Sequence, residues 1–267
     1  MAMMTLTKIL VPIALSPSCA WAAHYGAQLA RRFGSELLFL HAGNCPRETV
    51  EAFLGPAVKE APHEIAIRQG DPADTIARFA RETSASLIVM PTRAHGRFRR
   101  FLLGSVTAKV LHDVDCPVLT GVHHETAPVF PESDVHQIVC AVDTDEGFVP
   151  VIRGALEFSV LCNATLKVIH AVPAADETSG NRGEIELRKY LFHTAEERLA
   201  RLCREAEVDV KVLLAGGAVS TVVREAALRE GADLVVIGRG HTQRNLGRLR
   251  THAYSIIRNS PCPVLSI

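Results

Sequence analysis

The chain has 267 residues, 48% of them apolar and 22% charged, with only 5% aromatic. That composition excludes a disordered or collagen-like polymer and describes a globular protein with an aliphatic core, in one large domain or two of about 130 residues each. The 29 basic and 29 acidic residues cancel, so no global field favours nucleic acid or an anionic membrane, neither is expected as a partner, and any basic site must be local.

In chain order, "ILVPI" from Ile9 is a short apolar run. "PSCAWAAHYGAQLARRFG" follows, with Trp21, Tyr25, Leu29 and Phe33 at i, i+4, i+8 and i+12 and Gly34 placed as a helix stop. "ELLFLHA" from Glu36, "EIAIRQG" from Glu64, "SLIVMP" from Ser86 and "PVLTGV" from Pro117 are further apolar or β-branched runs, as expected of strands covered on both faces. Between the last two, "VMPTRAHGRFRRFLLGSVTAKV" leaves a strand, passes four arginines and enters a helix at a Gly-Ser pair. Strands alternating with helices predict an α/β protein built on a doubly wound, Rossmann-like parallel sheet.

The pattern then repeats. "KILVPIALSP" from Lys8 matches "QIVCAVDTDE" from Gln137, and "ELLFLHAG" from Glu36 matches "TLKVIHAV" from Thr165, both at a shift of 129. "GDPADTIARFARETSASLIVMP" from Gly70 matches "GAVSTVVREAALREGADLVVIG" from Gly217 at a shift of 147, and "CPVL" at Cys116 matches Cys262 at 146. The growth in shift places an insertion in the second copy, within "ETSGNRGEIELRKYLFHTAEERLARLCREA", which reads as a longer exposed helix of mixed charge. Two repeated domains are therefore expected, 1–124 and 137–267, with 125–136 as linker in the proline-interrupted stretch that ends at His136.

The seven cysteines form no Cys-x-x-Cys pair and read as reduced, buried thiols, with Cys116 and Cys262 as buried counterparts. The histidines show no metal-ligand spacing, and His41 and His170, both ending the second strand of a copy, read as hydrogen-bonded structural residues. The start "MAMMTLTKILVPIALSP" lacks the features of a signal peptide and no run is long enough to span a membrane, so a cytoplasmic protein is expected.

The Val-Pro strand end, "LHA", Gly-Asp-Pro before a helix, "LLGSVTAKVLHDVDCPVL" and the duplicated layout together resemble the universal stress protein family, as a tandem of two such domains. The resemblance implies an ATP site with an Asp ending strand one, backbone groups after strand two, and a loop of pattern Gly-x2-Gly-x9-Gly-Ser/Thr leading into the last helix. Carried onto this chain, the strand-two groups are Ala42 and Ala171. In the first copy Gly104, Ser105 and Val106 keep the helix entry, Pro91 and Ala94 replace the two earlier glycines, and Ala14 replaces the Asp. Proline offers no amide hydrogen and Ala94 narrows the approach of a phosphate, whereas Arg93, Arg97, Arg99 and Arg100 could neutralise one or lie in a solvated loop. In the second copy Asp143 is kept, as ligand or as a turn or cap residue, and Gly238 and Gly240 remain, while Arg250 and Thr251 stand at the Gly-Ser positions of a loop one residue shorter.

The resemblance implies a non-enzymatic stress-response protein binding an adenine nucleotide in at most one well-formed site, with the two halves as an intrachain pseudo-dimer and further homo-oligomers open. A degenerate interaction module without nucleotide is the alternative, and no nucleophile elbow or paired carboxylates point to catalysis.

Overall fold

The computed structural model describes residues 4–59, 61–92, 103–122, 135–172, 182–239 and 248–267. The chain divides into two compact units, one carrying Thr5–Ser133 and the other Asp134–Leu265. In the first, β1 (Lys8–Ile13), α1 (Pro17–Phe33), β2 (Glu36–Ala42), α2 (Arg47–Lys59), β3 (His63–Arg68), α3 (Pro72–Thr83), β4 (Leu87–Met90), α4 (Ser105–Asp113) and β5 (Val118–Thr120) follow one another. Its strands lie in the order β3-β2-β1-β4-β5, with β1–β2, β2–β3, β1–β4 and β4–β5 all parallel. Leu10 and Val11 of β1 are fully buried, as are Leu37 and Phe39 of β2 and Ile88 and Val89 of β4. Neighbouring positions on a strand point to opposite faces, so this continuous burial means helices cover both sides of the sheet.

The second unit repeats the plan with β6 (Gln137–Ala141), a 3-10 turn (Glu146–Phe148), α5 (Val149–Cys162), β7 (Thr165–Val172), α6 (Arg182–Ala206), β8 (Lys211–Gly216), α7 (Val219–Arg229), β9 (Leu234–Ile237), α8 (Arg248–Asn259) and β10 (Val264–Ser266). The strand order is β10-β9-β6-β7-β8, and β6–β7, β6–β9 and β7–β8 are parallel. The inserted helix is present: α6 has 25 residues where α2 has 13. Its first turns, including Ile185, Leu187 and Tyr190, are exposed.

Helix α1 ends where its glycine predicts. Gly34 adopts φ 66°, ψ 29° and donates its amide to Ala30 O, a left-handed cap that costs a residue with a Cβ more than it costs glycine. The packing face differs from the Trp21-Tyr25-Leu29-Phe33 stripe. Trp21 and Leu29 are buried, but Tyr25 and Phe33 are only half-buried. The face pressed on the sheet is instead Cys19, Ala22, Ala23, Gly26, Ala27 and Ala30. Steps of four residues advance about 40° beyond a full turn, so a stripe of period four winds off the contact line within three steps. The small residues let the helix approach closely: a Cβ built on Gly26 would stand 2.6 Å from Val11 Cγ2.

The Gly-Asp-Pro signature also has its expected geometry. Gly70 takes φ 136°, Asp71 is the N-cap of α3 with its carboxylate accepting from the Asp74 amide at 3.1 Å, and Pro72 occupies the first turn. Lys109 of α4 then reaches Asp74 at 2.7 Å and Asp71 at 3.4 Å, tying the two helices together. The Asp74 amide, chiefly, holds the Asp71 carboxyl below its ordinary range, and the hydrogen bond to Asp74 raises the Lys109 ammonium.

Candidate functional site

In the first unit the strand order reverses beside β1, since β2 and β3 lie to one side of it and β4 and β5 to the other. Carboxyl ends of strands at such a switch leave a crevice, because the crossover helices on either side diverge there. A cavity of about 650 Å³ occupies that place. Its floor is made by the strand ends, Ile13 and Ala14, His41 and Ala42, Met90 and Pro91, and its walls by the starts of α1, α3 and α4. Of the residues expected from the sequence, Ala42, Gly104, Ser105 and Val106 come together on this one cavity. Arg93, Ala94, Arg97, Arg99 and Arg100 lie outside the described residues.

The start of α4 is an anion-attracting wall. Gly104 is its N-cap, in extended backbone at φ −60°, ψ 140°, and no side-chain hydrogen bond caps the helix or acidic residue occupies its first turn. Gly104 donates its own amide to Thr92 O at 3.0 Å and accepts from Ala108 at 2.9 Å, which aligns the helix start. First-turn amides of a helix have no intrahelical acceptor, so Ser105, Val106 and Thr107 present the positive end of the helix dipole to the cavity. Thr107 is turned inward, its hydroxyl donating to Pro91 O at 3.1 Å.

His41 has the structural role expected of it. Nδ1 lies 2.9 Å from Ile13 O, and since a carbonyl can only accept, Nδ1 is the donor. The bond clips the ends of β1 and β2 together under the cavity. His170 repeats it on Val142 O at 3.0 Å. The neighbouring Ala14 amide donates to Cys19 Sγ at 3.3 Å, and Cys19 lines the cavity. Sequence reasoning passed over Cys19; the signal available was its partner at the 129-residue shift, Phe148, a residue of very different size.

At the corresponding strand ends of the second unit lies a cavity of about 110 Å³. Asp143, Ala171 and Gly238, all expected site residues, line it. Asp143 Oδ1 accepts from the Thr144 amide at 2.7 Å and lies 3.9 Å from His170 Nδ1. The capping role falls to Asp145, whose carboxylate takes the Gly147 amide at 2.7 Å. Gly240 lies outside the described residues. The expectation that Arg250 and Thr251 form the helix entry is corrected by α8, which begins at Arg248, one turn earlier than α4 at the same shift, and so places both residues inside the helix.

None of the seven cysteines is in a disulfide. Cys262 is buried, and burial pushes its thiol up to about 12. Cys116 is only half-buried, against expectation. At the 146-residue shift both turns bury the residue two before the cysteine, Val114 and Ser260, but Ser260 also donates to Cys262 O at 2.7 Å. Among the described residues there is no group of three or more His, Cys, Asp or Glu able to hold a metal, and no helix long and apolar enough to cross a membrane.

Comparison with known proteins bears on this arrangement directly. The model of the universal stress protein family matches residues 49–120 and again 135–267. The chain belongs to the universal stress protein family. Two matched segments in one polypeptide make it a tandem member. Universal stress protein G of Shigella flexneri is 31% identical over 117 residues, 42% of this chain and 82% of that protein. A universal stress protein structure from Archaeoglobus fulgidus covers 99% of this chain and 97% of its own at a TM-score of 0.65 and 19% identity. A protein of unknown function from Pseudomonas aeruginosa covers 98% and 92% at a TM-score of 0.70 and the same identity. These structural likenesses carry the fold, an α/β sheet with helices on both faces, across nearly the whole chain.

Proposed function

We propose that this universal stress protein binds an adenine nucleotide, ATP, without turning it over, and that the first half holds it. The observation that carries the reading is the cavity of about 650 Å³ set against the uncapped start of α4. Small-molecule sites run from about 300 to 1,000 Å³, which admits the first cavity and not the second. The phosphates would meet the amides of Ser105, Val106 and Thr107, and the rest of the nucleotide would lie over the ends of β1 and β2, beside Ala42. Arg93, placed by sequence alone, would add charge on the phosphate side.

The cavity is furnished for holding rather than for chemistry. Among the described residues lining it no carboxylate stands ready as a base, and its histidine and threonine are engaged with the carbonyls of Ile13 and Pro91. Occupancy would then report or buffer the nucleotide state of a cytoplasmic stress response. Titration calorimetry of the purified chain with ATP is the test. One equivalent bound per chain, with no phosphate released on prolonged incubation, is expected. No binding at millimolar ATP would refute the reading and favour an interaction module, for which the exposed Ile185, Leu187 and Tyr190 of α6 would be the place to look.

A further inference from the structure

The two crevices are built from equivalent positions. Ile13 and Val142, His41 and His170, and Ala42 and Ala171 are pairs at the 129-residue shift, each lining the cavity of its own half. Main-chain geometry is also shared, down to the histidine clip on the strand-one carbonyl. Yet one cavity is about 650 Å³ and the other about 110 Å³.

Of the equivalent lining residues, one pair differs most in side-chain size. Cys19 in the first half corresponds to Phe148 in the second, both at the entry to the first helix of their unit. Phe148 is 7% exposed and lines what remains of the second cavity. Its ring presses on the strand end opposite: a Cβ built on Gly238 would meet Phe148 Cε1 at 3.3 Å and Val151 Cγ2 at 2.8 Å. Val151 itself replaces Ala22. His252, which stands where Val106 does, is exposed and so lies at the rim. A cysteine side chain ends at one heavy atom beyond Cβ; a phenyl ring adds six, and in an interior packed like a crystal that volume is taken from the cavity.

Resting on the nucleotide reading above, we infer that Phe148 is a built-in plug, and that the Cys19/Phe148 pair decides which half is open to an adenine nucleotide. Gly238 follows from this. A Cβ there would clash with Val151 and crowd the plug, so the glycine serves the closed state of this half as well as any approach of a phosphate. Asp143 is left at the edge of a closed site, its carboxylate exposed and turned onto Thr144.

Exchanging the pair tests the inference in the full chain. Calorimetry with ATP on folded Cys19→Phe should show binding lost, from one equivalent to none, and on Phe148→Cys should show a gain from one equivalent to two. Thermal unfolding checks that each variant is native. Unchanged binding in Cys19→Phe overturns the inference, whatever the folding of the other variant, and so does a native Phe148→Cys that still takes one equivalent. If the wild type takes no ATP, the nucleotide reading fails separately. The plug is then decided by the crystal structure of Phe148→Cys: a second cavity grown toward that of the first half supports it, and side chains collapsed into the vacated space overturn it.

Discussion

Replacing Gly104 by Asp separates the two roles of the α4 start, because it should strengthen the helix and weaken the site at once. Gly104 is the N-cap, at φ −60° and ψ 140°. That is the extended conformation an Asp cap uses, and its carboxylate would accept an amide of the first turn. Asp is better than Gly at this position by a few tenths of a kcal/mol, and a negative charge at a helix start adds about 0.3 to 1 kcal/mol. A gain near 1 kcal/mol raises the melting temperature by roughly 2 to 4 °C in a unit of this size. For a bound phosphate the sign reverses. The carboxylate takes an amide the phosphate would use, a loss of about 1.5 to 3 kcal/mol, or roughly 10- to 150-fold in affinity. Two unit charges about 4 Å apart at an effective dielectric near 20 repel by a further ~4 kcal/mol before screening. ATP affinity should therefore fall at least about 100-fold in calorimetry while differential scanning calorimetry shows an unchanged or higher transition. Gly104→Asn, which caps without charge, should lose less than about tenfold. Binding by Gly104→Asp within threefold of wild type, or a transition lowered by several degrees, would refute the placement of phosphate on this helix.

Three further outcomes are expected. Glu230, hydrogen-bonded by Lys167 at 2.7 Å and paired with Arg229 at 3.0 Å, is held down to about 2, chiefly by the Lys167 bond. A depressed carboxyl adds stability that is full above its unfolded value of about 4.3 and vanishes as pH falls through the folded one, so the stability gap between wild type and Glu230→Gln should close between pH 4.5 and about 2; a gap constant across that window would contradict the pairing. A bulky thiol reagent should label half-buried Cys45 and Cys116 first and leave Cys140 and Cys262, whose thiols burial raises, untouched until unfolding; fast loss of Cys262 would count against its packing. Finally, the intrachain pseudo-dimer implied by the family resemblance should give a radius of gyration of about 18 Å in solution scattering, and two well-separated bodies would rule it out.

Much of the fold was legible because its determinants are local. Gly34 stops α1 through its own left-handed backbone, Asp71 and Pro72 start α3 through adjacent atoms, and the apolar runs of β1, β2 and β4 announce strands covered on both faces. Duplication made the reading firmer, since the same signals recur at fixed shifts, and the excess residues of the second copy had to form the longer α6. The α4 entry was legible too, since Gly104 and Ser105 stand just ahead of the run 106–110 and form the N-cap and first residue of the helix.

What the tertiary structure decided concerns distances between segments far apart in the chain. Which face of α1 meets the sheet depends on how closely Gly26 approaches Val11, and small residues won over the larger stripe. Where α8 begins is not readable from an alignment carried back from Cys262: it starts at Arg248, which puts Thr251 inside the helix. Cys116 and Cys262 share a sequence context but differ in burial, and Ser260 hydrogen-bonds to the second. Above all, the openness of a cavity is a difference between the space the backbone encloses and the side chains that enter it. In sequence each half keeps what the other has lost, Asp143 and Gly238 in the second against Gly104 and Ser105 in the first; only the structure sets the ring of Phe148 against Gly238 in one cavity and Cys19 at the equivalent place in the other.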